Sequence, residues 1–218
     1  MKEQVKIGLL TKYLAGPILK TWIGNINGLD NIPKGKPFVL APNHSSYIEH
    51  FLIGAIFTLC LKRKIYYIAK KEHFQGKWQK FWHSLWENYV STIPIDRNKG
   101  QGALNKASLY LKKGKIIVIY PEGTRTLTGN LQRAKTGVAR LALRAKVPVV
   151  PLGIIGTFEI LPKGSFIPRL KKADFNFGKP MNFDDYNNKN INKKILDEIT
   201  LKIMKEIAKL SKQKYNFS

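Results

Sequence analysis

Strands alternating with helices predict a single α/β domain with a mixed, largely parallel central sheet flanked by helices, preceded by an N-terminal amphipathic helical segment. Three observations carry this reading. Short apolar runs bounded by turn residues recur at Phe38–Ala41, Ile65–Ala69, Ser91–Ile95, Ile116–Tyr120 and Val147–Leu152. Helical patterns separate them at Phe51–Leu61, Gln101–Lys112 and Val138–Lys146. Hydrophobic residues make up 44% of the 218 residues, enough for a packed core, and no internal repeat divides the chain.

The first 30 residues interleave Ile7, Leu9, Leu10, Tyr13, Leu14, Ile18, Leu19, Trp22 and Ile23 with Lys2, Lys6, Lys12 and Lys20. Gly16-Pro17 interrupts the pattern, so two short helices are expected, a docking segment over 1–30 ahead of a domain over 31–218. Such helices lie in a membrane interface or pack on the domain's own core. Gly28 to Pro37 is turn-rich and leads into the opening strand. Lys62-Arg63-Lys64 close the Phe51–Leu61 helix, where cations suit the helix dipole. The block Phe74, Trp78, Phe81, Trp82, Leu85, Trp86 and Tyr89 falls largely on one helical face, beside Lys71, Lys77 and Lys80. Aromatics with lysines suit a headgroup-level belt or the wall of an acyl-chain tunnel, and also an ordinary core. The prolines of Val147–Leu152 suggest an edge strand or a bulge. Ala173 to Phe183 continues the sheet. A C-terminal amphipathic helix over about 191–212 has Ile191, Ile195, Ile199, Ile203 and Ile207 at every fourth position.

Charge narrows the partners. Lys and Arg number 38 against 14 Asp and Glu, a formal +24. That excess attracts polyanions: nucleic acid, an anionic membrane or an acidic carrier protein. The single cysteine, Cys60, excludes an internal disulfide. Phe51–Leu61 is too short to span a bilayer and no secretory signal opens the chain, so membrane association is expected to be peripheral.

Three strand ends carry polar turns: Asn43-His44, Asp96-Arg97, and Glu122 to Arg125. Parallel strands place all three on one edge of the sheet, where open α/β folds keep their sites. His44 is a candidate general base and Glu49, in the first turn of the following helix, its carboxylate partner. Side chains five apart share no helix face, so His44 must fold back over the helix to meet Glu49. Ser46-Tyr47-Ile48-Glu49 is equally a capping box, in which Glu49 satisfies a backbone donor. Arg97 and Arg125 offer planar forks that match a phosphate. A G-x-G-x-x-G motif, a Walker loop and a G-x-S-x-G elbow are all absent. His44, Glu49 and His50 match no zinc spacing, so no metal is expected.

Together these blocks resemble one family. Asn43-His44-Ser45-Ser46-Tyr47-Ile48-Glu49 resembles the N-H-x4-D signature of the glycerolipid acyltransferases, the lysophosphatidate (1-acylglycerol-3-phosphate) acyltransferase group. Ile93 to Arg97 is similar to their second block, and Tyr120-Pro121-Glu122-Gly123-Thr124-Arg125 to their F-P-E-G-T-R block. Lys135-Thr136-Gly137 resembles the following K-x-G, and Val147 to Pro151 the last block. The resemblance covers roughly residues 30–180. One departure is Glu49 in place of aspartate, which moves the carboxylate by about a bond length.

The resemblance implies catalysis by His44 as general base, with Glu49 orienting it. The acceptor hydroxyl then attacks an acyl thioester, from acyl-CoA or acyl carrier protein, with no further cofactor. It implies phosphate binding by Arg97, Glu122, Gly123, Thr124, Arg125 and Lys135, with Trp78, Phe81, Trp82 and Trp86 toward the membrane or the acyl chain. The implied partners are a lysophospholipid acceptor, lysophosphatidic acid first, and a surface of anionic lipids on the cytoplasmic side of a bacterial cell membrane. Another lysophospholipid or lipid-linked acceptor keeps the same chemistry. A nucleic-acid-binding reading calls for exposed stacking aromatics, whereas these aromatics fall at helical spacing among aliphatics, so no nucleic acid partner is expected.

Overall fold

Alternate residues of the opening apolar run serve opposite faces of one sheet. Phe38 and Leu40 join one buried cluster, Val39 and Ala41 the other. A strand covered on both faces has no reason to alternate with polar residues, which is why the run reads as continuously apolar. The computed structural model describes residues 16–70, 91–95, 100–186 and 189–217. Residues 1–15, the aromatics Trp78, Phe81, Trp82 and Trp86, and Arg97 lie outside them.

Helix α1 (Gly16–Lys20) leads into strand β1 (Ile23–Asn27). Strand β2 (Val39–Pro42), helix α2 (Glu49–Leu59), strand β3 (Ile65–Lys70) and strand β4 (Ser91–Ile95) follow. Then come helix α3 (Gly100–Lys112), strand β5 (Ile116–Val118), helix α4 (Gly137–Ala145) and strand β6 (Val149–Ile155). A single turn, α5 (Thr157–Ile160), strand β7 (Ala173–Phe177) and helix α6 (Lys193–Leu210) complete the described chain. The seven strands form one sheet in the order β1-β7-β6-β2-β5-β3-β4. All neighbours pair parallel except β6 and β7.

Helix α2 is buried almost all round, at Leu52, Ile53, Ala55, Ile56 and Phe57, as its uninterrupted apolar sequence requires. On the other face α4 and α6 cover the sheet through Val138, Leu141, Ile199, Ile203 and Ile207. Asn192 starts α6 by accepting the Ile195 N–H at 3.0 Å. At its far end α6 meets β6 backbone to backbone: a Cβ on Gly153 would collide with the Leu210 carbonyl carbon and the Ser211 nitrogen.

Two expectations change. Helix over residues 1–30 stops at Lys20, and Ile23–Asn27 is a sheet strand instead. The edge of β7 offers it partners that a helix would forgo: Asn25 N–H donates to Asp174 Oδ1 at 2.7 Å and Asn27 Nδ2 to Asn176 Oδ1 at 2.8 Å. Asn25 and Asn27 face solvent with Ile26 between them on the core, the two-residue period of a strand, and a register shift between Ile23 and Ile26 lets Ile23 pack on the core as well. Strand β6, with Pro151 inside it, is interior rather than an edge. The proline is accommodated by a bulge. Three positions on β6 separate Val149 from Leu152, while four separate their partners Met181 and Phe177. Among the described residues no helix is long and apolar enough to cross a membrane.

Candidate active site

β2, β5, β3 and β4 are parallel, so their C-terminal ends, and the turns that follow β2 and β5, lie along one edge of the sheet. β6 runs the same way and brings Thr157 to that edge. The first turn is fixed before any functional side chain is considered. Asn43 is buried and locks onto β6 in both directions, Nδ2 donating to Ile154 O at 3.0 Å and Oδ1 accepting Ile154 N–H at 2.7 Å. The chain then folds back over the start of α2, as the five-residue spacing demanded. His44 Nδ1 lies 2.8 Å from Glu49 Oε2, with the imidazole 11% exposed and the carboxylate fully buried.

Glu49 does two jobs with two oxygens. Oε2 faces His44, while Oε1 accepts Ser45 N–H at 2.9 Å, Ser46 N–H at 2.8 Å, Ser45 Oγ–H at 2.9 Å and Thr157 Oγ1–H at 2.7 Å. The Ser46 bond matches the backbone limb of a capping box, but the reciprocal limb is not made, because α2 begins at Glu49 itself. Ser46 Oγ instead accepts the Ile48 N–H at 3.3 Å and donates to Leu161 O at 2.7 Å. The four donors to Oε1 fix the direction in which the carboxylate faces the imidazole. Glutamate, one methylene longer than aspartate, reaches the imidazole from this position.

The second turn closes around the first. Glu122 Oε1 accepts the His44 N–H at 2.7 Å, and Oε2 accepts the Gln132 N–H at 2.8 Å. Thr126 N–H donates to His44 O at 3.0 Å, so the loop grips the His44 residue at both its backbone groups. Burial pushes the Glu122 carboxyl up to about 7, opposed by those backbone donors from Gln132 and His44. Gly123 sits at φ 74° with the Lys135 side chain alongside it. Thr124 and Lys135 are exposed, and Arg125 lies over the Tyr47 ring with Cζ 5.7 Å from its centroid. The irregular segment after this loop is steadied from the C-terminal tail: Leu131 N–H donates to Gln213 Oε1 at 2.9 Å and Ala134 N–H to Tyr215 Oη at 3.1 Å.

A cleft of about 440 Å³ opens at His44, bounded by Ile68, Leu104, Ile119, Tyr120, Gly123 and Lys135. The Tyr120 ring stacks on the imidazole with centroids 3.7 Å apart and planes at 18°. Its Oη is buried and has no hydrogen-bond partner within normal geometry among the described residues. Burial, with the Tyr67 hydroxyl and Glu49 nearby, raises its pKa well above the usual phenol value, so the group stays protonated. His50 lies edge-on to His44 at 5.5 Å and lines the same cleft. No cluster of three or more His, Cys, Asp or Glu able to hold a metal occurs among the described residues.

The structure thus brings His44, Glu49, Glu122, Gly123, Thr124, Arg125 and Lys135 to one edge. Sequence reasoning gave no role of their own to Asn43, Ser45, Tyr120, Gln132 or Thr157. Four of these sit within or beside the quoted blocks. Thr157 is 108 residues from Glu49 and carries no local signal beyond its place at the end of a parallel strand.

A family model described as Acyltransferase matches residues 24–155, more than half of the chain and both polar turns. The chain belongs to the acyltransferase family. The acyltransferase is similar to the 1-acyl-sn-glycerol-3-phosphate acyltransferase of Bacillus subtilis, 30% identical over 161 residues that cover 72% of this chain and 73% of that protein. It is similar also to the 1-acyl-sn-glycerol-3-phosphate acyltransferase of Saccharomyces cerevisiae, 30% identical over 176 residues, covering 71% of this chain and 54% of the yeast protein. The crystal structure of the 1-acyl-sn-glycerophosphate acyltransferase PlsC from Thermotoga maritima shares the fold of this acyltransferase. It has a TM-score of 0.65 at 23% identity, over 94% of this chain and 83% of that one.

Proposed function

We propose that the protein transfers a fatty acyl group from an acyl thioester to the free hydroxyl of lysophosphatidic acid, giving phosphatidic acid. The observation that carries this is the 2.8 Å contact of His44 Nδ1 with the buried Glu49 carboxylate, at the mouth of a cleft with Lys135 on its wall. With Nδ1–H donated to Glu49, the Nε2 lone pair is the basic one. The acceptor hydroxyl gives its proton to Nε2 as its oxygen attacks the thioester carbonyl carbon. The tetrahedral intermediate collapses, the carbon–sulfur bond breaks, and the imidazolium returns its proton to the departing thiolate. Glu49 stabilises the imidazolium in between.

Arg125 and Lys135, with Arg97, which follows β4 in the sequence, hold the phosphate by charge-assisted bonds. Gly123 lets the backbone of that loop come close, and Glu122 fixes the loop to the base, since both its oxygens are engaged by backbone donors. Ile68, Leu104, Val118 and Ile119 give the cleft an apolar wall suited to an acyl chain, and Tyr120 Oη is left to donate to a substrate oxygen. The thioester, as acyl-CoA or acyl carrier protein, brings its own activation, so no cofactor enters. The site of action is the surface of the cell membrane, on the cytoplasmic side.

An acyl-transfer assay across a panel of lyso-acceptors, with both donors, tests the reading. Lysophosphatidic acid is expected to be the preferred acceptor, and its dephosphorylated monoacylglycerol to be poor. Equal use of the two would remove the phosphate from the proposal. Transfer to water alone would remove the acceptor.

A further inference from the structure

The connection from β6 to β7 stands on the catalytic edge, because β6 runs parallel to β2 and β7 turns back antiparallel to β6. Its first turn touches the site through Thr157 and through Leu161 O, the acceptor of Ser46 Oγ–H. Beyond that it turns outward. Phe166, Ile167 and Leu170 are 93%, 84% and 87% exposed. Lys163, Arg169, Lys171 and Lys172 alternate with them, and no acidic residue lies between Leu161 and Ala173. A lone exposed apolar side chain needs no explanation; three within five residues, on one protruding loop, do.

The loop is held at its base. Arg169 N–H donates to Ile160 O at 2.9 Å, and the Trp22 indole donates to Arg169 O, also at 2.9 Å. A turn closes from Ser165 N–H to Pro162 O at 3.0 Å, with Gly164 at φ 95°. The apolar tip is therefore presented on a fixed stem. Leu127, 71% exposed, belongs to the neighbouring loop, which meets the stem where Gly129 abuts the Phe158 ring.

We infer that residues 163–172, with Leu127, dock the protein on an anionic lipid bilayer. Phe166, Ile167 and Leu170 enter the boundary between headgroups and acyl chains, and the four cations remain at the phosphates. A bilayer accepts a protruding apolar tip anywhere on its surface, whereas a protein partner would need a matching hollow. The absence of acidic residues along the loop selects anionic headgroups. Docking here turns the catalytic edge toward the lipid, a consequence that rests on the acyltransferase reading; the docking itself does not.

Co-sedimentation with phosphatidylcholine vesicles, with and without phosphatidylglycerol, tests the inference on the full chain. Combining Phe166→Ser, Ile167→Ser and Leu170→Ser is expected to weaken partition onto the anionic vesicles on the order of tenfold to a hundredfold. Turnover of a detergent-dispersed acceptor and the melting temperature should not change. Each of Lys163→Gln, Lys171→Gln and Lys172→Gln should weaken binding to the anionic vesicles about fivefold and leave the neutral ones unaffected. Wild-type partition by the triple serine variant would overturn the inference. So would a variant that binds vesicles normally and loses turnover only with an acyl carrier protein donor, which would assign the loop to that protein. Sedimentation needs no turnover, so an error in the proposed reaction would not disguise the result.

Discussion

The two polar turns of the catalytic edge are built on opposite plans. The Asn43–Glu49 turn is buried, and nearly every polar atom in it has a stated partner within the protein. The Gly123–Arg125 turn is open, with Thr124 exposed and Arg125 half-buried over Tyr47, and Lys135 beside it is exposed too. A general base has to keep one tautomer and one direction, so its surroundings are over-determined. An anion grip needs charge within reach and tolerates movement, so long cationic side chains on an open loop suffice. Glu122 joins the two, holding the loop on one oxygen and the His44 backbone on the other.

The contrast breaks most severely at Glu49. Glu49→Gln can keep its carbonyl oxygen toward Ser45, Ser46 and Thr157 and so preserve the turn. Its amide would then donate to His44 Nδ1 and put the ring proton on Nε2, the wrong nitrogen. Turnover should fall by about 10³–10⁴-fold, as when a triad carboxylate is neutralised, with little change in melting temperature. His44→Ala should be as inactive and as well folded. Wild-type turnover in a folded Glu49→Gln protein would leave Glu49 only its capping role.

Next in size is the pH dependence of stability through Glu122. Its folded-state pKa is raised from 4.5 to about 7. The folded protein therefore holds this proton more tightly than the unfolded chain. The resulting stabilisation is complete below about pH 4.5 and is lost as pH rises through 7, at most about 3 kcal/mol on this group's account. Urea midpoints taken at pH 5 and pH 8 should show the fall, and Glu122→Gln should flatten it. A wild-type slope in that variant would assign the pH dependence to other groups.

The smallest effect belongs to the open turn. Arg125→Ala should raise KM for the phosphate-bearing acceptor about 10- to 100-fold, from the loss of charge-assisted bonds worth roughly 1.5–3 kcal/mol, with the donor KM unchanged. Lys135→Ala should do the same less strongly. A rise confined to the donor KM would move these cations to the other substrate.

Much of this was legible from residues alone, for physical reasons that differ by element. β2 and α2 announced themselves because a strand covered on both faces and a helix buried all round have little choice of composition. The bulge beside β6, whose extra residue lies between Phe177 and Met181, was implied by Pro151, which has no N–H for a ladder. β1 was misread as helix because Ile23 and Ile26 continue the apolar spacing of the preceding residues. Its strand character comes from Asp174 and Asn176, about 150 residues away, which no local pattern records. The His44–Glu49 pair was visible as a spacing. The support from Asn43 and Thr157 depends on β6 lying beside β2, a fact of topology.

Gln213 and Tyr215 give the phosphate-side loop a history during synthesis. Their partners Leu131 and Ala134 leave the ribosome 82 and 81 residues earlier. At about 5–20 residues per second that is an interval of roughly 4–16 s. Before it ends the parallel strands, β6 included, and both polar turns have been made, while this loop still lacks its fasteners. A nascent chain arrested before Gln213 should accordingly be cut by protease near residues 129–134, and one released past Tyr215 should resist. The acyltransferase would thus acquire its proposed grip on an anion last, after the proposed base beside it.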